Sequence, residues 1–206
     1  MLSFAPPGGK DAKRSDPLID ISPVNDVVAA RVFELEMMED ADLVRAAAAG
    51  DREAFGMLYH RFARAVHGTL LARLPPQDAD DEVQEVFLQA MKRLGDLREP
   101  GAFAGWVCAI ARRRAVDHYR RLSPVEPLTE VVPSGGANPS VRAEVTEVLA
   151  AIRALPDAYR ETLTLRLVEG LSGPEIAKVT DLTPDSVRVN LHRGFRLLRE
   201  KLGLSE

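Results

Sequence analysis

The chain has few of the residues that build covalent cross-links or metal centres. Cys108 is the single cysteine among 206 residues, so an intrachain disulfide and a cysteine-based metal site are both excluded. We interpret Cys108 as a buried thiol. No stretch approaches the ~18 consecutive apolar residues of a membrane-spanning helix, and the N-terminus lacks a basic-then-apolar signal pattern. We therefore expect a soluble, cytoplasmic protein without membrane insertion.

Aromatic residues are also scarce, at 5% of the sequence, and runs of valine and isoleucine are short. Alanine, leucine and arginine are abundant instead, and apolar residues reach 46%, which is enough for packed cores. The composition therefore favours an all-α fold, arranged as one domain or as two small ones.

Charge is separated along the chain. The net charge of −4 excludes a polycation that coats nucleic acid. Residues 105–121 nevertheless contain five arginines and one aspartate, whereas residues 78–88 contain five carboxylates and no cation. We interpret these stretches as faces for two kinds of partner.

The basic stretch predicts one helix, because it contains no glycine or proline after Gly105. Trp106, the only tryptophan, lies with Ile110 on the apolar side of its first half. In its second half, three charged residues at i, i+4 and i+7 share an exposed side: Arg113, Asp117 and Arg120. Such a surface can hold phosphates and stack on bases. A solvated cationic face is the alternative.

Turn-forming residues divide the chain into four parts. Residues 1–38 are predicted to be a largely disordered extension, allowing a short helix around residues 27–37. Met37 and Met38 leave open that translation starts there. Residues 39–122 have helical periodicity, residues 123–140 form a linker rich in proline and glycine, and residues 141–206 form a second helical unit.

The first helical unit is predicted to be a bundle of four helices, at about residues 42–49, 51–74, 79–94 and 105–121. We expect Asp51 and Asp78 to act as N-caps. The buried stripes are expected to include Tyr59 on the second helix and Met91 on the third.

The second unit contains a helix-turn-helix pattern. Its first helix is expected to bury Val145. Ser172 and Glu175 then form a capping box before a short helix at residues 174–179, and Thr183 opens a long helix that runs to about residue 202. Two capped starts at this spacing, with a basic outer face on the long helix, predict DNA binding in a major groove. An ordinary helical hairpin is the alternative.

Four stretches in order along residues 40–202 resemble the extracytoplasmic-function (ECF) sigma factors, the small promoter-recognition subunits of bacterial RNA polymerase. They are residues 49–55, 78–87, 103–121 and 170–193. The resemblance implies sigma domain 2 at residues 39–122 and sigma domain 4 at residues 141–206. It also implies three partners: core RNA polymerase, promoter DNA and an anti-sigma factor. No cofactor and no enzymatic activity are expected.

The resemblance also implies roles for individual residues. The acidic helix would bind polymerase through Asp78, Asp81, Gln84, Glu85, Phe87 and Leu88. The basic helix would bind DNA through Arg112, Arg113, Arg114, Asp117, His118, Arg120 and Arg121. The helix-turn-helix would bind DNA through Ser172, Thr183, Asp185, Ser186, Arg188, Val189, Asn190, His192, Arg193 and Arg196.

Two positions depart from the family pattern. Arg113 stands where these proteins often have asparagine, so a base-reading amide is replaced by a cation. Asn190 stands where the recognition helix often has arginine. We therefore infer the roles of both helices but do not predict which promoter sequence they recognise.

Two other classes of protein are weighed against this interpretation. A helix-turn-helix regulator with an N-terminal sensor or dimerisation bundle would leave the acidic and basic helices without a role. A helical nucleic-acid hydrolase would need a catalytic cluster, and no Ser/His/Asp or His/Cys grouping occurs. We predict no catalytic residues and no metal site, and we interpret His60 and His67 as structural.

Overall fold

The structure, a computed structural model, describes residues 22–121 and 139–204, with side chains described for residues 29–121 and 145–204. These residues form nine α-helices and two 3₁₀ turns, with no β-strand among them, which confirms the all-α prediction. The helices are α1 (Ser22–Met37), α2 (Asp40–Ala48), α3 (Arg52–Leu71), α4 (Pro76–Arg93), α5 (Phe103–Arg121), α6 (Pro139–Arg153), α7 (Asp157–Leu167), α8 (Gly173–Thr180) and α9 (Pro184–Lys201). We call α2–α5 the N-terminal bundle and α6–α9 the C-terminal unit.

Capping residues define where the bundle helices begin. Asp51 caps α3 as predicted, since its Oδ1 accepts the backbone N–H groups of Glu53 at 2.9 Å and Ala54 at 3.0 Å. The prediction that Asp78 caps α4 is wrong. The helix begins at Pro76 with Pro75 in the cap position, because the fixed φ of proline suits the first turn. Asp78 lies inside that first turn, where the helix dipole still favours a carboxylate.

The helix predicted around residues 27–37 is present and begins earlier, at Ser22. It packs on α3 through Leu35, which is buried, while Arg31 forms ion pairs with Asp51 and Glu53. Arg61 of α3 donates to the backbone oxygen of Glu36 at 2.7 Å. Residues 1–21 of the predicted extension, residue 122 and residues 123–138 of the predicted linker lie outside the described residues, and the last two residues of that linker belong to α6.

The N-terminal bundle is built around large side chains with no exposed surface, among them Leu58, Leu70 and Phe103. The Phe103 ring lies 5.4 Å from that of Phe62 and 5.9 Å from that of Trp106. Trp106 therefore belongs to the packed side of α5.

The C-terminal unit has its own small cluster of four buried residues: Ile152, Leu155, Leu163 and Leu198. Both predicted caps of the helix-turn-helix are present, the capping box at Ser172 and the N-cap at Thr183. The prediction that Val145 is buried is wrong, because its side chain projects from the outer side of α6.

The two units pack directly against each other. Helix α7 lies against α3, and α8 lies against α5. Leu165, Ile176 and Val179 of the C-terminal unit are buried in one continuous apolar cluster with the core of the bundle. We call this contact the seam.

Candidate functional site

The acidic helix α4 presents one exposed side to solvent. Asp81, Gln84, Glu85 and Leu88 are all exposed on it. Beside them is a groove of about 280 Å³ between α3 and α4, lined by Phe55, Tyr59, Gln84, Phe87, Leu88 and Met91. The α4 face, as we call this side with its groove, is therefore partly acidic and partly apolar.

Two side chains of the α4 face differ from expectation. Tyr59 and Met91, predicted as buried, are 39% and 49% exposed because their stripes reach the rim of the groove. Phe87, expected on the buried stripe of the helix and also as a polymerase contact, is buried at 3% exposure. Its ring lies 4.6 Å from that of Tyr59, so Phe87 forms the floor of the groove rather than its surface.

The basic end of α5 adjoins the α4 face. Arg113, Arg120 and Arg121 are exposed, and Arg120 lies 3.6 Å from Asp117 one turn earlier. A second groove, also about 280 Å³, is lined by Glu85, Leu88, Gln89, Lys92, Arg113, Arg114, Asp117 and Arg121. Leu88 borders both grooves, and Glu85 of the α4 face borders the second, so the acidic and basic surfaces are neighbours.

Two of the α5 side chains predicted to contact DNA are engaged inside the bundle. Arg114 forms an ion pair with Glu82, and His118 lies 3.5 Å from Glu82 and 3.3 Å from Asp78. Glu82 is buried, at 8% exposure. Burial favours its protonated form, but the hydrogen bond and charge of Arg114 outweigh burial and lower the pKa of Glu82. Arg114 and His118 therefore anchor α5 to α4, and Arg113, Arg120 and Arg121 are the cations left facing solvent.

Arg112 is directed toward the C-terminal unit instead. Its Nε donates to Glu161 of α7 at 3.0 Å, and its Nη2 donates to the backbone oxygen of Val179 at 2.7 Å. No sequence pattern links Arg112 to these groups, which lie far along the chain. In this arrangement Arg112 makes protein contacts rather than facing solvent.

The outer side of α9 is open to solvent. Asp185, Arg188, Val189, His192, Arg193 and Arg196 are exposed along it. The remaining predicted contacts have partners within the unit. Ser172 and Thr183 are caps, the Ser186 hydroxyl lies 2.8 Å from that of Thr183, and Asn190 donates to the backbone oxygen of Ala158 at 3.2 Å.

Comparison with known proteins identifies both units. Residues 58–124 match the family described as sigma-70 region 2, and residues 146–198 match sigma-70 region 4. The ECF sigma-E factor of Escherichia coli K12 is 30% identical over 81% of this chain and 96% of its own length. The chain belongs to the ECF sigma factors.

Other relatives agree with this family. The ECF sigma factor BldN of Streptomyces coelicolor is 30% identical over 87% of this chain and 69% of its own length. Among solved structures, CnrH, determined in complex with the cytosolic domain of CnrY, is 27% identical with a TM-score of 0.59, covering 81% of this chain and 99% of CnrH. The sigma factor RpoE of Bartonella quintana, in complex with the anti-sigma factor NepR, covers 74% of this chain and 98% of its own at a TM-score of 0.53. At 15% identity it shows the shared fold alone.

Membership of the family settles the class of activity. This sigma factor is a transcription initiation factor that binds core RNA polymerase and directs it to promoters, and it is not an enzyme. The alternatives of a polymerase-independent regulator and of a hydrolase are set aside. Within residues 22–121 and 139–204, no helix is long and apolar enough to cross a bilayer.

Proposed function

We propose that the α4 face is where this sigma factor docks on core RNA polymerase. The observation that supports the proposal is that the carboxylates of one helix have different environments. The buried Glu82 carboxylate forms an ion pair with Arg114, whereas Asp81 and Glu85 remain exposed beside an open apolar groove. An apolar centre bordered by charges is the usual composition of a protein interface. A partner with a basic rim and apolar side chains fits this surface.

DNA binding is assigned to the two remaining exposed faces. Arg113, Arg120 and Arg121 of α5 hold the phosphates of the opened upstream strand, and the outer side of α9 enters the major groove of the distal element. The chain as a whole has a net charge of −4, so long-range attraction to DNA is small. Each DNA contact is therefore weak alone, and polymerase makes both effective by holding the two units close to one promoter.

We extend the proposal to one more partner and to the site of action. CnrH is described in complex with the cytosolic domain of CnrY, and a sigma factor from Bartonella quintana in complex with an anti-sigma factor. By analogy, an anti-sigma factor binds this chain and covers the α4 face, which excludes polymerase. The site of action is the cytoplasm, where polymerase and the chromosome meet.

The docking proposal is tested by a double variant, Asp81→Ala with Gln84→Ala, in a binding assay with purified core polymerase. We expect at least a tenfold loss of affinity and an unchanged thermal unfolding curve, since neither side chain is buried. Asp96→Ala is the matched control, because its carboxylate is 65% exposed and away from the groove. Equal affinities for the double variant and the control would show that polymerase docks elsewhere.

A further inference from the structure

We propose that Arg73 and Arg112 form a phosphate-binding site for the opened promoter strand, which Glu161 of the C-terminal unit occupies while the molecule is closed. The proposal rests on the DNA-binding role proposed for α5, and it adds Arg73, just after the end of α3, and an internal competitor. DNA binding to this site therefore requires the seam to open.

The carboxylate of Glu161 is held entirely from the other side of the seam. Its Oε1 accepts from Thr69 Oγ1 at 3.2 Å and from Arg112 Nε at 3.0 Å, and its Oε2 accepts from Arg73 Nη2 at 2.9 Å. All three donors belong to the N-terminal bundle. The side chain is 10% exposed, so these bonds replace water almost completely.

Arg112 joins two elements of the C-terminal unit to the bundle. Besides Glu161, it binds the backbone oxygen of Val179 at 2.7 Å, in the last turn of α8. Carbonyl oxygens in the last turn of a helix carry partial negative charge and attract a cation. In the closed molecule Arg112 Nε and Nη2 both donate to protein oxygens, so a phosphate would have to compete for them.

A phosphate and a carboxylate are equivalent ligands for these arginines, since both are oxyanions that accept paired N–H groups. Two guanidinium groups face one carboxylate, which leaves a net positive charge at the site. The site also continues the basic end of α5, because the hydroxyl of Tyr119 donates to the backbone oxygen of Arg73 at 2.7 Å. Tyr119 is 45% exposed, so its ring can stack on a base beside the bound phosphate.

The ion pairs of Glu161 add little to the stability of the closed state, which the apolar contacts of the seam provide. Taking both charges of a buried ion pair out of water costs nearly as much as their attraction returns. The Glu161 contacts therefore fix the geometry of the seam more than they stabilise it. An oxyanion that arrives together with its neighbouring phosphates, guided by exposed Arg113, Arg120 and Arg121, can replace a single carboxylate.

Closure is measured first, without polymerase or a promoter. Spin labels on Asp96→Cys and Glu200→Cys report the distance between the two units in the full chain, since both parent side chains are largely exposed. Cys108 stays unlabelled, because its thiol is buried and burial raises its pKa to about 12. We expect one narrow distance distribution for the otherwise unmodified chain, which broadens when single-stranded DNA is added. A broad distribution that DNA leaves unchanged would overturn the proposal.

The competition is measured with a fluorescent single-stranded oligonucleotide of mixed sequence and the free sigma factor. Glu161→Gln keeps the size of the side chain and removes its charge, so we expect roughly tenfold tighter DNA binding. Adding Arg73→Ala should abolish this gain. The control is Asp157→Asn on the same helix, whose carboxylate is 77% exposed and lies 3.2 Å from Arg160, and it should leave affinity unchanged.

Each result decides the proposal separately from the function on which it rests. No gain for Glu161→Gln, or a gain that survives Arg73→Ala, would overturn it. Promoter-dependent transcription with core polymerase should persist in Glu161→Gln, since Glu161 competes with the DNA and itself binds neither DNA nor polymerase. If the unmodified chain supported no promoter-dependent transcription, the proposed function would be contradicted. The distance measurement would still decide whether the two units close.

Discussion

Gly68→Ala tests whether the two units pack at the seam, because it adds a methyl group where two helices approach closely. Gly68 lies on α3 where α7 crosses it, and an added Cβ would come within 2.7 Å of Glu169 Cγ and 2.9 Å of Leu165 Cδ2. Neither atom can move aside easily, because Leu165 is fully buried and the Glu169 carboxylate is held by His67 at 2.6 Å. Crowding of this kind costs about 1–3 kcal/mol. It acts only while the units are closed.

The same substitution at Gly56 is a close control. Gly56 also lies in α3, and its added Cβ would meet nothing within 4 Å. Alanine is favoured over glycine inside a helix by about 1 kcal/mol. We therefore expect Gly56→Ala to raise the free energy of unfolding, and Gly68→Ala to be about 1–3 kcal/mol less stable than Gly56→Ala.

Chemical denaturation and the spin-label distance check this prediction together. Gly68→Ala should broaden the distance distribution between the units, and Gly56→Ala should not. Equal unfolding free energies and equal distance distributions for the two variants would refute the reasoning, because the close approach at Gly68 would then have no energetic consequence.

Three further outcomes follow from named contacts. Arg193→Ala should weaken binding of duplex DNA carrying the distal element, without changing affinity for core polymerase, since Arg193 is exposed on the outer side of α9. The hydrogen bond to Glu169 raises the pKa of His67, so protonated His67 favours closure, and the closed fraction should fall as pH rises above about 6.5. Glu82→Ala should cost about 3–5 kcal/mol of stability by leaving Arg114 buried without its carboxylate.

Each of these outcomes has a control. A drop in core affinity for Arg193→Ala would contradict the separation of the two surfaces. The pH effect should disappear in His67→Gln, because the glutamine that then lies beside Asp80 and Glu169 has no titratable group. A loss below about 1 kcal/mol for Glu82→Ala, similar to that expected for the exposed Glu85→Ala, would show that the Arg114 contact is weak.

Local features of the fold could be predicted from sequence because their causes are local. Ser172 and Glu175, three residues apart, satisfy each other's backbone and side-chain groups whatever surrounds them. Gly50 ends α2 with a φ of +102°, a conformation that few other residues adopt. Apolar residues that recur every three or four positions located the bundle helices, because this spacing is also a local property of the sequence.

The periodicity of apolar residues could not predict which side chains at the edge of an apolar stripe are buried. Tyr59 and Phe87 lie on the apolar stripes of α3 and α4, yet one ring reaches solvent and the other does not. The difference depends on how the two helices cross, which is a property of the packed bundle. Met91 is exposed for the same reason.

The assignment of cations to partners also depended on tertiary structure. Arg112, Arg113 and Arg114 are consecutive, so composition treats them alike. Helical geometry turns them about 100° apart, and each meets a different environment: Glu161 across the seam, solvent, and Glu82 of α4. Glu161 itself carries no signal in the sequence, since its partners lie 49 to 92 residues away.

Run-off transcription with purified core RNA polymerase tests the central claim most directly. Templates carrying candidate promoters should yield transcripts that depend on this sigma factor and that the Asp81→Ala, Gln84→Ala double variant does not support. A chain that neither binds core polymerase nor yields any promoter-dependent transcript would contradict the account.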